Sequence, residues 1–319
     1  MKHAVLIMAH KNKAQLIRLI KTLNCANFDF FVHLDSEWKL SDDDVDDIKR
    51  CSERVYVINN RIHGELDQWS LPQITLNLID EAVKVGKGGG GYNYYLLLSG
   101  QDYPIKSVEY INLFLEKNYP KPFIDVESYQ TGNWVSTKFL LVRWMHKIEE
   151  IHKKHRSGIR RKIRVAPYVL AEYLERFFWG TPYERVEKYG FKLYGGSQWW
   201  ILPDEVIQYI NDIRLKKPKF IKEYMRTWTP DETFFQTMAM NSPLANEILI
   251  DNELFEVGDQ RCMTYANFVA PGKTFRGHPH IIEEIDFDRI ISKKQLFARK
   301  FDCEVDSKIL DKIDDYFAM

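Results

Sequence analysis

Four segments of the chain combine residue types that can do chemistry. The first is Thr229-Pro230-Asp231-Glu232. Thr229 has the form of a helix N-cap and Pro230 suits a first turn, so Pro230–Met240 reads as a helix. Asp231 and Glu232 would then sit at the positive end of its dipole. A carboxylate there is stabilised as the anion and held on a rigid element, as a general base requires. The same pattern also describes an ordinary acidic cap. The second segment runs from Leu97 through Ser99-Gly100-Gln101-Asp102 to Pro104. A buried strand ends abruptly there in small and polar residues, and ligands of open α/β sheets bind beyond such carboxyl ends. The alternative is a plain turn in which Asp102 bonds the backbone before Pro104.

The third segment is Gly195-Gly196-Ser197-Gln198-Trp199-Trp200. Paired glycines let a ligand or another backbone approach closely, and adjacent tryptophans on a strand face opposite sides. One Trp could pack inward while the other lines an acceptor site; two core tryptophans after a glycine turn is the competing reading. The fourth is Leu296-Phe297-Ala298-Arg299-Lys300-Phe301-Asp302, where two adjacent bases beside apolar anchors could hold a phosphate.

Other familiar sites are missing. The sequence has no GxGxxG, GxSxG or HExxH. Gly86–Gly91 lacks the GK[ST] ending of a phosphate loop and reads as a connector. His278 and His280 could face one way on a strand, but no third ligand accompanies them, so no metal is expected.

The elements that must position these segments follow from hydrophobic spacing. Ala4–Ala9, Phe28–Leu34, Val55–Ile58 and Tyr92–Leu98 read as strands. Leu16, Leu19, Ile20 and Leu23, and then Leu71, Ile74, Leu78 and Val85, mark helical faces between them. Ser41 could cap an acidic helix through Asp42, Asp43, Asp44 and Asp47. Strands separated by helices imply a doubly wound α/β sheet. The middle, about 135 to 189, reads as helical, Ser197–Leu202 as a strand, and Asp306–Phe317 as a docked terminal helix. No internal repeat and no long linker appears, so 1–319 reads as one domain.

The composition narrows the class. The chain has 319 residues and 45% hydrophobic content, enough for a large core. Its 45 basic and 45 acidic residues cancel, which argues against a dedicated nucleic-acid binder. Cys25, Cys51, Cys262 and Cys303 are scattered, which suits a reducing cytoplasm rather than a disulfide framework. The apolar run in MKHAVLIMA is too short for a signal peptide, and nothing approaches the ~18 apolar residues of a membrane span. A basic stretch, 147–164, contains Lys147, Lys153, Lys154, Arg156, Arg160, Arg161, Lys162 and Arg164. It reads as a solvated helical face or as a patch for anionic lipid or a polyanionic acceptor.

Taken together, the segments resemble the core-2/I-branching β-1,6-N-acetylglucosaminyltransferase family, which also includes protein xylosyltransferases. The likeness is carried in order by Ile7-Met8-Ala9-His10-Lys11, Phe31-Val32-His33-Leu34-Asp35, Trp69-Ser70, Ser99 to Ser107, GGSQWW, Thr229 to Thr237, and Leu296 to Asp302. Lacking an N-terminal anchor, the chain looks like the family's bacterial branch. The resemblance implies a glycosyltransferase-A fold, a doubly wound mixed sheet flanked by helices. Residues 1–130 would form its nucleotide-sugar half, and 131–319 its acceptor-binding and catalytic half. It implies inverting transfer, with N-acetylglucosamine from UDP-GlcNAc the leading donor and xylose, glucose or galactose as alternatives.

The resemblance also implies roles. Glu232 matches the family's base. The family works without a metal-binding Asp-x-Asp, and Ser-Gly-Gln-Asp stands where that motif would be, so no cofactor is expected. Lys300 matches the diphosphate-binding lysine. The partner arginine maps near His280, which replaces it, with Arg276 close by. Asp35 matches a donor-side aspartate; His10, Lys11 and Asp102 fall near the donor; Trp199 and Trp200 fall on the acceptor side. The expected partners are a UDP-sugar and a glycan acceptor, lipid-linked in enzymes of this kind, with peripheral contact at the inner membrane face through the basic stretch.

Overall fold

A computed structural model describes residues 1–129, 147–148, 151–152, 154, 158–248, 261–268 and 279–318. Strands β1 (His3–Ala9) and β2 (Phe28–Leu34) are buried at every position, as continuous apolar runs covered on both faces should be. Helix α1 (Lys13–Thr22) connects them and buries Leu16, Leu19 and Ile20. Helix α2 (Asp42–Arg50) begins in the expected way. Ser41 accepts from the Asp44 amide, and Asp44 reaches back to the Ser41 amide. β3 (Val55–Val57), α3 (Ser70–Gly86) and β4 (Tyr94–Ser99) complete the first four-strand alternation.

After β4 come β5 (Tyr103–Pro104), α4 (Val108–Asn118), β6 (Phe123–Ile124) and β7 (Glu127–Ser128). The described part of the middle is helical as expected, with α5 (Ile159–Trp179) and α6 (Pro182–Glu187). Next are β8 (Tyr194–Gly195), β9 (Trp200–Pro203), α7 (Asp204–Lys216), α8 (Pro218–Tyr224) and α9 (Phe234–Met240). β10 (Thr264–Ala266), α10 (Phe287–Ile291), β11 (Phe297–Arg299) and α11 (Lys308–Ala318) follow.

The main sheet has the order β3-β2-β1-β4-β9-β6. β3, β2, β1 and β4 run parallel, while β9 is antiparallel to both β4 and β6. Alternating residues feed opposite faces. Leu6, Phe31 and Leu97 pack with α3 and α9 on one side; Val5, Phe30 and Leu98 pack with α1, α4 and α11 on the other. This is the expected doubly wound mixed sheet flanked by helices. The register sets Ala9 beside Leu34 and Met8 beside Ser99, so three carboxyl ends lie together. The chain leaves β1 toward β2 on one side and returns as β4 on the other. That is the switch point where open α/β sheets bind ligands.

Two local expectations change. Ser197–Leu202 is not one strand: β8 pairs with β7, and the main-sheet strand begins only at Trp200. Pro230–Met240 is not one helix. Pro230–Glu232 forms a separate 3-10 turn and α9 starts at Phe234. Thr229 is left-handed (φ 48°) and its side chain caps nothing. The Glu232 carbonyl, which a continuous helix would need internally, instead accepts from the Gly196 amide at 2.8 Å. The terminal helix docks as expected, burying Ile309, Leu310 and Ile313, while Arg18 pairs with Asp311 and Asp314, each at 2.7 Å.

Candidate active site

A cleft of about 550 Å³ opens beyond the carboxyl ends of β1, β2 and β4. One wall is organised by Asp35. Its Oδ1 accepts from the Glu37 amide at 2.8 Å and its Oδ2 from the Gly64 amide at 2.9 Å, while His63 Nδ1 lies at 3.0 Å. Partial burial opposes ionisation, but these donors outweigh it and hold the carboxyl below its ordinary value. The Asp35 hydrogen bond in turn raises His63. Arg61 pins the loop by donating to the carbonyls of Leu34, Asp35 and Trp38. His33 Nε2 accepts from the Ile62 amide, and burial lowers this ring to about 4, so it stays neutral. His10, at the end of β1, is held below the ordinary imidazole value by burial and then by Lys11 and Lys300.

The opposite wall carries Arg299 and Lys300 at the end of β11. Arg299 is buried between two partners. Its guanidinium carbon lies 3.7 Å from the centre of the Trp199 ring, and its Nε is 3.4 Å from Asp102 Oδ1. Burial pulls the arginine down, and Asp102 is the main force holding its charge. Lys300 is lowered by burial and by the neighbouring Arg299. Two cations forced together at a cleft wall are a site for an anion. The backbone around them is tied down. The Phe301 amide donates to the Gln101 carbonyl at 2.8 Å, and Gln15 Nε2 donates to the carbonyls of Gly100 and Phe301, each at 3.1 Å.

The Glu232 turn adjoins this cleft, although Glu232 is not itself among the cleft-lining residues. Glu232 is half-buried and bonded to Gly196 through its carbonyl, and Gln236 Nε2 donates to the Ser197 carbonyl at 2.5 Å. The turn is therefore fastened to the segment that delivers Gln198 and Trp199 to the cleft. Thr229 also donates its amide to the Asp67 carbonyl, next to Leu66 at the cleft edge. Gly196 is required for this contact, because a Cβ there would lie 1.8 Å from the Asp125 carbonyl oxygen. Gly196→Ala should cost ~1–3 kcal/mol or more by overpacking against main chain. Gly89→Ala, where a Cβ meets nothing within 4 Å, serves as the control. Thermal unfolding of both variants checks this; equal midpoints would remove Gly196 from the site's framework.

The profile of the Core-2/I-Branching enzyme family matches residues 4–291. The chain belongs to the core-2/I-branching family. Its mixed sheet flanked by helices is a glycosyltransferase-A-like fold. The chain is 22% identical over 309 residues to "Xylosyltransferase sqv-6" of Caenorhabditis elegans, covering 93% of this chain and 34% of the relative. It is 26% identical over 310 residues to "Xylosyltransferase 2" of Canis lupus familiaris (94% and 32%), and 25% identical to the human "Xylosyltransferase 2" over 310 residues (94% and 32%). The chain thus spans about a third of the length of these relatives.

Within this family member, the expected site residues divide. His10, Asp35, Trp199 and Lys300 line one cleft. Lys11 does not. Its Nζ lies 2.5 Å from Asp302 Oδ2, and Asn12 donates to Asp302 Oδ1 at 2.6 Å, so this pair clips the end of β1 to the segment after Lys300. Asp102 is fully buried beneath the cleft; it accepts from the Ser99 amide and stands behind Arg299 instead of meeting a donor. Trp200 is a core residue at 0% exposure against Phe235, which corrects its expected place in an acceptor site. His280 is not among the cleft-lining residues; its amide donates to the Asn267 carbonyl. Arg276 and His278 lie outside the described residues, as do Lys153 and Arg156 of the basic stretch. Among the described residues, no group of three His, Cys, Asp or Glu side chains could hold a metal ion.

Arg299 is one of the two adjacent bases expected to hold a phosphate. His33, part of FVHLD, and His63 carry no site signal of their own in the sequence.

Proposed function

We propose that this chain is an inverting glycosyltransferase that moves a sugar from a UDP donor to a hydroxyl of a glycan acceptor, with no metal ion at the diphosphate. The supporting observation is the pair Arg299 and Lys300 on the wall of a switch-point cleft whose other wall holds Asp35. In this reading the Glu232 carboxylate takes the acceptor proton. The acceptor oxygen attacks the anomeric carbon from the face opposite UDP. The bond from that carbon to the β-phosphate oxygen breaks, and its electron pair leaves with UDP. Arg299 and Lys300 offset the charge that develops there. Asp35, with His63, receives the nucleoside. Trp199 offers the acceptor side a flat ring, and Asp102 keeps Arg299 ionised.

Two donors follow from two observations. Membership of the core-2/I-branching family favours UDP-N-acetylglucosamine, while the names of the relatives favour UDP-xylose. Release of UDP from a panel of UDP-sugars in EDTA separates them. One sugar should be turned over well above the rest, at a rate that added Mn²⁺ does not change. A strict Mn²⁺ requirement would overturn the metal-free reading. Residues 1–319 act in this proposal as a single domain, with nucleoside contacts mainly from 1–130, and the diphosphate cations, acceptor contacts and base from 131–319. The four cysteines are all unpaired, which supports a reducing, cytoplasmic setting. A lipid-linked acceptor is consistent with the basic stretch.

The His63–Asp35 pair gives a pH signature. Protonated His63 balances Asp35; deprotonation leaves one net negative charge facing an anionic donor. Because Asp35 raises His63, the balanced form persists above the ordinary histidine value of 6.5 and is lost as pH rises through the raised one. KM for the donor should climb over that interval while kcat holds, and His63→Gln should flatten the profile. A wild-type KM independent of pH would remove His63 from the donor site.

A further inference from the structure

Helix α5 is built inside out. Its 21 residues, roughly 30 Å long, turn the acidic side chains toward the body and the apolar ones outward. Glu172 is buried and accepts from Arg176 at 2.6 Å, while Glu175 accepts at 3.0 Å from Arg185 of α6, itself only 2% exposed. The Glu175–Arg185 pair is therefore an ionic tie between this helix and α6. On the outer face, Ile163, Leu170 and Phe177 recur every seven residues and are 65%, 57% and 73% exposed. Ile159, Tyr173 and Leu174 widen the same stripe, and Phe178 and Trp179 end it, all exposed. A surface helix normally buries such a stripe.

Charge says what covers it. Arg160, Lys162 and Arg164 are exposed beside the first two turns of the stripe, and the two acidic residues of the helix are occupied on the other face. A second copy packed stripe to stripe would bring these cations together if parallel. If antiparallel, it would set them against Phe177, Phe178 and Trp179, with no acid to receive them. An anionic bilayer offers both complements at once: phosphate for the basic end, and an acyl boundary for the apolar face and its terminal aromatics. No described helix is long and apolar enough to cross a membrane, and the stripe runs the length of α5, which suits a helix lying along a surface.

We propose that α5 is a membrane-surface helix, lying in the headgroup region of an anionic bilayer with Ile163, Leu170 and Phe177 inserted. This deepens the expectation drawn from the basic stretch by naming the inserted face, and it holds whichever sugar is transferred.

Flotation of the full chain with vesicles tests it. The protein should float with vesicles of phosphatidylcholine mixed with phosphatidylglycerol, and remain in solution with phosphatidylcholine alone. I163S/L170S/F177S should abolish flotation. R160Q/K162Q should weaken partitioning by roughly twenty-five-fold, from about fivefold per removed cation. Both variants should keep the wild-type unfolding midpoint and UDP affinity, since all five residues are exposed on the outer face. Flotation that survives the serine variant overturns the proposal. So does failure of the wild type to float, and a dimer in solution that the serine variant dissolves would then identify a second copy as the occupant.

Discussion

Glu232→Gln should reduce turnover by ~10³-fold, within the 10²–10⁴ contributed by a positioned base, and leave UDP affinity unchanged. The substitution leaves two main-chain bonds of Glu232 in place. Its carbonyl accepts from Gly196 and its amide donates to the Thr229 carbonyl, and neither bond involves the carboxylate. Glutamine keeps the size of the side chain but does not accept a proton. Single-turnover measurements with saturating donor, beside calorimetric titration with UDP, separate chemistry from binding. Turnover within tenfold of wild type would return Glu232 to the role of an ordinary turn residue.

Lys300→Met should do the reverse to binding. Removing one of two cations at the cleft wall should lower UDP affinity and kcat/KM by ~10²–10³, the range seen when one preorganised donor to a developing charge is lost. Stability should move the other way. Lys300 is held below its ordinary value by burial and by Arg299, so an apolar isostere relieves a cost in the ligand-free protein. An unchanged or raised unfolding midpoint with weakened UDP binding is the signature. Arg299→Met provides the contrast: burial already pushes the Asp102 carboxyl up, and losing its cationic partner leaves it buried and uncompensated, at ~3–5 kcal/mol. If Lys300→Met leaves UDP affinity intact, the diphosphate does not sit at this wall.

The parts legible in the sequence were those fixed by local pattern. β2 spans the expected Phe28–Leu34, and β1 adds only His3 to the expected run, because a strand buried on both faces writes itself as unbroken apolar residues. The Ser41 cap was legible for the same reason: it is satisfied within four residues. What failed was set by distant contacts. Adjacent tryptophans announced opposite faces, but only the pairing of β9 with β4 decides that Trp200 is the inner one. Asp102 carried the look of a ligand-facing carboxylate; its burial behind Arg299 depends on a strand some two hundred residues later. Thr229 and Pro230 matched a helix start, and the amide of Gly196 overrode them by claiming the Glu232 carbonyl.

The clip between Lys11 and Asp302 joins the first strand to nearly the last segment of the chain. This has a consequence for synthesis. While the protein is being made, the β1–α1–β2 alternation can collapse early, yet the donor cleft lacks its cationic wall until residues 299–302 have left the ribosome. At roughly 5–20 residues per second, that wall arrives on the order of half a minute after β1. On the proposed function, a nascent chain therefore gains no stability from UDP-sugar before this wall is in place, and gains it abruptly once ligand binding can favour the fold by mass action.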